Sequence, residues 1–362
     1  MRLEVSLRGE RGLLLDTLSA LVALAVTVAI AGLIFAALGA DPLAGLHAFF
    51  LSPLLDAWSL QEVAVKAAPL ILIGLGLSLC YRANVWNIGA EGQFTAGALL
   101  GSVPAVLFPD WQGPLVLPAM LILGMVGGMA YAAIPAFLKV RFRANEILTS
   151  LMLAYVALLV LDYLVRGPWR DPMGFNFPES RLFTGDQRLL RLVEGTRLHA
   201  GLLLVVAAVP LVWFVTRYTL AGFSLRVIGE APRAGAFAGF SRARITYAVF
   251  AACGALAGLA GILEIAGTVG QLRPVISPGY GFAAIIVAFL GRLSPLGVAM
   301  AGLVLAVSYI GAEAAQVSIG VSDKVARVIQ GTLLFSVLAC DALARYRLRL
   351  VTTPAGAPAA GE

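Results

Sequence analysis

Asn87, Glu91 and Gln93 stand inside residues 84–93, NVWNIGAEGQ, where a long apolar run begins. Together they place two amides and a carboxylate near membrane depth at an irregular entry to a helix. An ionisable group inside a membrane is expensive to hold and points to function by default. Gly89 and Gly92 make the lead-in irregular, and backbone that leaves the helix at membrane depth must line a cavity or be buried in protein. A plainer alternative has Glu91 at the interface, paired with Arg82. A second stretch, residues 277–282 (SPGYGF), repeats the pattern: Gly279 and Gly281 precede AAIIVAFLGRLSPLG, which is interrupted at Gly291, Arg292 and Pro295. Paired Gly/Pro-interrupted segments in corresponding positions of two halves point to a binding site near the bilayer midplane. Glu264, in LAGLAGILEIAGT, is a further pathway candidate, because the small residues around it let helices approach closely.

No catalytic residue is expected. The chain lacks a G-x-x-x-x-G-K-[ST] loop, an H-E-x-x-H pair and a nucleophile elbow, so it neither hydrolyses ATP by itself nor resembles a membrane hydrolase. Cys80, Cys253 and Cys340 each lie in an apolar run without C-x-x-C spacing, and His47 and His199 are isolated. No metal site and no disulfide framework is expected. Lys66, Asn145, Glu146, Asp162 and Glu313 are the remaining polar residues at or near apolar runs; Lys66 and Asp162 lie near ends, where they snorkel or pair.

The elements that position these residues follow from composition. Sixty per cent of the 362 residues are hydrophobic and 13% are charged, against about 45–50% and about 25% in soluble domains. Such a chain cannot cover a water-facing globule, so its solvent is lipid. Apolar runs predict about ten spans, near 17–38, 63–81, 88–107, 114–138, 146–165, 199–216, 246–266, 281–291, 296–313 and 325–341. The first is an uncleaved span, since 18–38 is longer than the roughly 7–15 residues of a signal core. The eighth is too short for an ordinary spanning helix and reads as broken. The fold class is therefore an all-α polytopic membrane protein, with one transmembrane domain over 1–345 and a disordered cytoplasmic tail at 346–362.

Charge orients the threading. Arg2, Arg8, Arg11, Arg82, Lys139, Arg141, Arg143, Arg292, Arg345, Arg347 and Arg349 fall on one side, together with the five arginines of segment 217–245. By the positive-inside rule that side is cytoplasmic, and both termini lie there. The arginines sit between apolar segments and form no aromatic-interleaved stripe, so no nucleic-acid partner is expected. Segment 166–198 is the exception, an external loop rich in arginine and a candidate contact surface for a partner. In this threading spans 2–5 and 7–10 run in opposite senses, which predicts an inverted repeat pairing the third span with the eighth. In segment 217–245, Pro232 near the start and Gly239 at the end bound a short helix over 230–239, a cytoplasmic surface that a partner could grip.

Three stretches, taken in order, carry a family resemblance. NVWNIGAEGQFTAGALLGS, IGEAPRAGAFAGFS and GYGFAAIIVAFLGRLSPLG strongly resemble the motifs of permease subunits from ABC importers of nucleosides and simple sugars. The NIGAEGQ form is similar to the first of two permeases in purine-nucleoside importers. Gly235, Phe237 and Ala283 depart mildly from the family pattern. The resemblance implies a second homologous permease in a heterodimer, cytoplasmic ATPase subunits that use ATP and Mg²⁺, an external substrate-binding protein or lipoprotein, and location in the inner membrane. It implies that Gly229, Glu230, Ala231, Pro232, Arg233, Ala234, Ala238 and Gly239 couple to the ATPase. Phe282, Asn87 and Gln93 would then contact a nucleoside. A ribose or other simple-sugar permease is the alternative within the family; an ion-coupled transporter using Glu91 or Glu264 as a proton relay, or a membrane transferase, is the alternative outside it.

Overall fold

The structure is a computed structural model that describes residues 2–7, 13–320 and 322–351. The chain folds as two compact units. The terminal unit joins the two chain ends. Helix α1 (Leu13–Ala37) packs on α14 (Asp323–Arg345), and α2 (Pro42–Leu46) follows α1. Strand β1 (Arg2–Leu7) pairs antiparallel with β2 (Tyr346–Val351), with Arg2 opposite Val351 and Leu7 opposite Tyr346. Residues 346–351, expected as the start of a disordered tail, thus form a ladder; 352–362 lie outside the described residues.

The larger unit, residues 47–320, is helical. It runs through a π-helical turn at His47–Leu51, then α3 (Ser52–Leu55), α4 (Ala57–Arg82), α5 (Ala90–Leu107), α6 (Val116–Phe142) and α7 (Glu146–Arg166). It continues with α8 (Gly201–Tyr218), α9 (Leu220–Glu230), α10 (Pro232–Phe237), α11 (Arg242–Glu264) and its π-helical extension Ile265–Val269, then α12 (Tyr280–Leu290) and α13 (Pro295–Ile319). Each of the apolar runs coincides with one helix. Among the described residues, six helices are long and apolar enough to cross a bilayer: α4, α6, α7, α8, α11 with its extension, and α13. The two helices that follow the glycine-rich lead-ins are not among them. Helix α12 has only 11 residues, and α5 carries Glu91 and Gln93 in its first turns.

Burial separates the centre from the rim. The most apolar window of α4 is 89% buried and that of α11 is 72% buried, against 22–33% in α6, α7 and α8. A helix that is apolar all round and enclosed belongs to a bundle core, and apolar faces left open belong against lipid. Glycine sets how closely the core helices approach. A Cβ on Gly97 would stand 2.1 Å from the Gly258 Cα, and one on Gly76 would stand 2.8 Å from the Cys253 Cα. Those contacts bring α5 and α4 directly against α11.

Two polar segments carry detail beyond the sequence expectation. The short helix bounded by Pro232 and Gly239 is present as α10, and a separate helix, α9, ends just before it at Glu230. Alternation of Leu225 and Ile228 with polar neighbours gives α9 a buried face, and the Thr219 hydroxyl caps it by accepting from the Gly222 amide. Segment 166–198, expected as an external loop, is tied down along its length. It folds back on the end of α11, where the Phe183 amide donates to the Gly270 carbonyl (2.8 Å), the Leu189 amide to that of Ala266 (3.0 Å) and the Ser180 amide to that of Leu272 (2.9 Å).

Candidate translocation site

The first lead-in is a closed knot of hydrogen bonds. The Asn87 side chain donates through Nδ2 to the Gln93 Oε1 (3.1 Å) and to the Cys253 sulfur of α11 (3.2 Å). Its oxygen accepts from the Gln93 side chain (3.2 Å) and from the Gly89 amide (3.0 Å). The Asn87 carbonyl accepts from the Tyr81 hydroxyl at 3.1 Å. Both Asn87 and Gln93 are buried. Buried amides with every partner in place rigidify a segment, so in this conformation they hold the lead-in. Gly89 and Gly92 let it approach α7: a Cβ on Gly89 would meet the Ser150 carbonyl at 2.5 Å, and one on Gly92 the Ala154 Cα at 2.7 Å.

The second lead-in ends in a left-handed Gly279, with φ of +102°. The Ser277 hydroxyl accepts from the Gly279 amide (3.0 Å) and the Tyr280 amide (2.9 Å), capping α12. The next amide, Gly281, donates to a Glu91 carboxylate oxygen at 2.6 Å. Helix N-termini carry unsatisfied N–H groups and partial positive charge, so a carboxylate there is favourable. Only glycine fits at 281, since a Cβ would come within 2.2 Å of the Glu91 nitrogen. The two motifs, far apart in the chain, therefore meet at one point, with Glu91 on α5 closing the start of α12. Glu91 does not pair with Arg82, whose guanidinium Nε donates to the Leu293 carbonyl at 2.9 Å.

Glu264 lies at the last turn of α11, where the helix loosens into the π-helical stretch Ile265–Val269. Insertions of this kind recur at functional sites. Phe282 is half-buried on the first turn of α12. Asn145 caps α7 by accepting from the Ile147 and Leu148 amides, Glu146 pairs with Lys139, and Asp162 pairs with Arg166 at 2.8 Å. Sequence reasoning passed over Tyr280. It sits between the two glycines that were singled out, is fully buried, and stacks edge-on with Phe94 of α5. Of the two expectations for Lys66, snorkelling or pairing, the structure shows pairing, with Glu313 at 3.9 Å.

The segment taken as the coupling region presents a different surface. Helix α10 packs on α9 through Gly235, where a Cβ would meet the Ile228 side chain at 2.6 Å. Phe237 is 95% exposed. Gly239 closes α10 with φ of +84°.

Among the described residues, six helices long and apolar enough to cross a bilayer surround two glycine-led helices joined by the Glu91–Gly281 contact. The chain belongs to the family described as branched-chain amino acid transport system / permease component, whose profile matches residues 59–338. It is 39% identical to a glucose ABC transporter permease protein of Haloferax volcanii, over 89% of this chain and 87% of that one. It is 28% identical to a guanosine ABC transporter permease protein of Bacillus subtilis, over 89% of this chain and 93% of that one. A nucleoside ABC transporter permease protein of Lactococcus lactis is 27% identical, over 87% of this chain and 88% of that one. The chain is thus a permease subunit of the ABC type, a transport component and a multi-pass membrane protein.

Proposed function

We propose that this permease carries nucleosides or simple sugars across the cytoplasmic membrane as part of an ATP-driven importer. The observation that carries the reading is the Glu91–Gly281 contact, which joins the two interrupted helices into one potential gate. Ten spans with both termini inside complete the fold in this reading, arranged as an inverted repeat. Packing supports the repeat: within residues 47–320, α4 with α12 is matched by α11 with α5, and α4 with α13 by α11 with α6. These are the pairs that exchange if spans two to four map onto seven to nine.

Substrate class rests on the relatives. The glucose permease shares more identity (39%) than the nucleoside permeases at 27% and 28%. That weights simple sugars above the purine nucleosides to which the NIGAEGQ motif points. Both classes share a hydroxylated sugar ring, and this ring is the common feature the pathway must accommodate.

The chain binds no cofactor in this reading. ATP and Mg²⁺ belong to a separate cytoplasmic ATPase that grips α9 and α10 through Glu230 to Gly239, with exposed Phe237 as the natural anchor. A second homologous permease completes the pore, and an external binding protein or lipoprotein delivers solute. Docking of segment 166–198 over the end of α11 makes that cap its landing surface. Asn87 and Gln93 hold the first lead-in, while Glu91, Phe282 and Glu264 line the route.

Uptake of labelled D-glucose and guanosine into proteoliposomes holding the whole transporter tests this. ATP-dependent uptake of either supports it. Uptake driven by an ion gradient without any ATPase would assign the chain to secondary transport instead.

A further inference from the structure

The end of α4 stands between the proposed coupling segment and both glycine-led helices. Helix α9 reaches it through Gly229, where a Cβ would lie 1.9 Å from the Arg82 carbonyl oxygen and 3.4 Å from the Ala83 Cα. On its other side, the Arg82 Nε donates to the Leu293 carbonyl at 2.9 Å, in the turn that follows α12. The neighbouring Tyr81 stacks on Phe289 of α12, with ring centroids 5.1 Å apart, and lies against Trp86 of the first lead-in at 5.3 Å. Its hydroxyl donates to the Asn87 carbonyl at 3.1 Å. Two adjacent residues thus touch α9, the end of α12 and the knot at Asn87.

The backbone around this point is held in uncommon conformations. Asn84, Arg292 and Leu293 are left-handed, with φ of +53°, +52° and +58°. Asparagine tolerates that region, whereas arginine and leucine enter it against a steric penalty. Within the turn the Arg292 amide donates to the Phe289 carbonyl and the Leu293 amide to that of Ala288, both at 2.9 Å. The Arg82 guanidinium grips the same turn from outside. Conformations of this kind persist only where the surroundings over-determine them, and they cluster at switch regions.

A cavity of about 390 Å³ opens between α9 and that turn, with Leu225 and Arg226 on one wall and Arg292 and Leu293 on the other. Gly229 and Arg82 line it too, so their contact bridges the gap. That contact is glycine against main chain, with no side chain between to absorb a shift. Close-packed interiors have low compressibility and transmit strain, so a displacement of α9 reaches the Arg82 backbone directly. From there the planar guanidinium and the Tyr81 ring pass it to Leu293 and to Asn87.

We propose that Arg82 is the positioning residue through which α9 holds the first lead-in and the end of α12 together. While Gly229 sits on its backbone, the guanidinium pins the Leu293 turn and Tyr81 pins Asn87; withdrawal of α9 frees both. This rests on the ATP-driven reading above and deepens it. The relay itself lies within one chain, so it is also read without transport.

The test measures ATP hydrolysis and uptake of D-glucose or guanosine together, in proteoliposomes holding the whole transporter. Arg82→Met, which keeps the stem and loses the donors, should lower uptake per ATP hydrolysed roughly tenfold, while hydrolysis stays within about twofold of wild type. Arg82→Lys restores a charged donor and should recover part of that ratio. Gly229→Ala should uncouple in the same way, and the double variant should be no worse than either single one, since both break one path. Uptake and hydrolysis falling in proportion, or losses that multiply in the double variant, would overturn the relay. On the purified permease, Arg82→Met and Gly229→Ala should each speed amide hydrogen exchange roughly tenfold in segments 84–89 and 288–294, with α6 unchanged. Faster exchange confined to α9, or none, rejects the relay even if the wild type transports nothing; absent uptake by itself counts against the transport reading alone. Should Gly229→Ala fail to assemble, Arg82→Met and Arg82→Lys carry both measurements.

Discussion

The Glu91 carboxylate accepts a hydrogen bond from the Gly281 amide at 2.6 Å, bridging 190 residues of sequence. The contact satisfies a helix N-terminus that is otherwise buried and places a negative charge on the positive end of α12. It also ties together two segments that must separate if solute is to pass between them.

Glu91→Leu leaves the Gly281 amide buried without a partner, at a cost of about 1–3 kcal/mol. Glu91→Gln keeps an acceptor of the same shape and forfeits only the charge at the helix end, about 0.3–2 kcal/mol. Thermal unfolding of the purified protein should therefore rank wild type above Gln and Gln above Leu. Indistinguishable melting of all three would show that the contact does not hold the two lead-ins together.

The helices were legible because lipid enforces long apolar runs, and the glycine pattern flagged both lead-ins. Their meeting point was not, because nothing local to Glu91 or Gly281 encodes a partner so far away. Asn87 and Gln93 read as solute contacts, yet they satisfy each other, and their third partner, Cys253, looked like inert packing. Lys66 near a span end read as a lysine that snorkels or pairs; only the fold names Glu313 as its partner. Helix α9 hid in a polar segment, because its buried face is only Gly222, Leu225 and Ile228.

Close glycine contacts make a second set of outcomes. A Cβ at position 97 would lie 2.1 Å from the Gly258 Cα, while one at position 185 meets nothing within 4 Å. Gly97→Ala should destabilise by about 1–3 kcal/mol through overpacking of α5 on α11. Gly185→Ala should stay within about 0.5 kcal/mol of wild type. Equal melting temperatures for the two would argue against this helix crossing.

Coupling to an ATPase concentrates on α10. Phe237, 95% exposed, supports nothing within the chain, so Phe237→Ala should insert and melt like wild type. If it anchors the partner, ATP-driven uptake falls by roughly tenfold or more, as for a buried aromatic at an interface. Gly239→Asp, which adds a charge at a left-handed position, should abolish uptake and still reach the membrane. Normal uptake from both variants would remove α10 from the coupling path.

His199 gives the cap over α11 a pH dependence. It lies just before α8, outside the spanning helices, enclosed against Gly201 and Gly267, and its Nδ1 has no partner among the described residues. Burial disfavours the imidazolium and pulls its pKa down to about 4, below the ordinary value of about 6.5. The unfolded chain then binds a proton that the folded chain refuses, so this contribution is complete above pH of about 6.5 and is lost as pH falls toward about 4. At its full extent the loss is of the order of 3 kcal/mol. His199→Gln, which carries no titrating proton, should flatten that part of the stability curve. Melting temperatures of wild type and variant measured from pH of about 7 down to about 4 should therefore converge or cross. Parallel curves would mean that His199 is not held neutral by the cap.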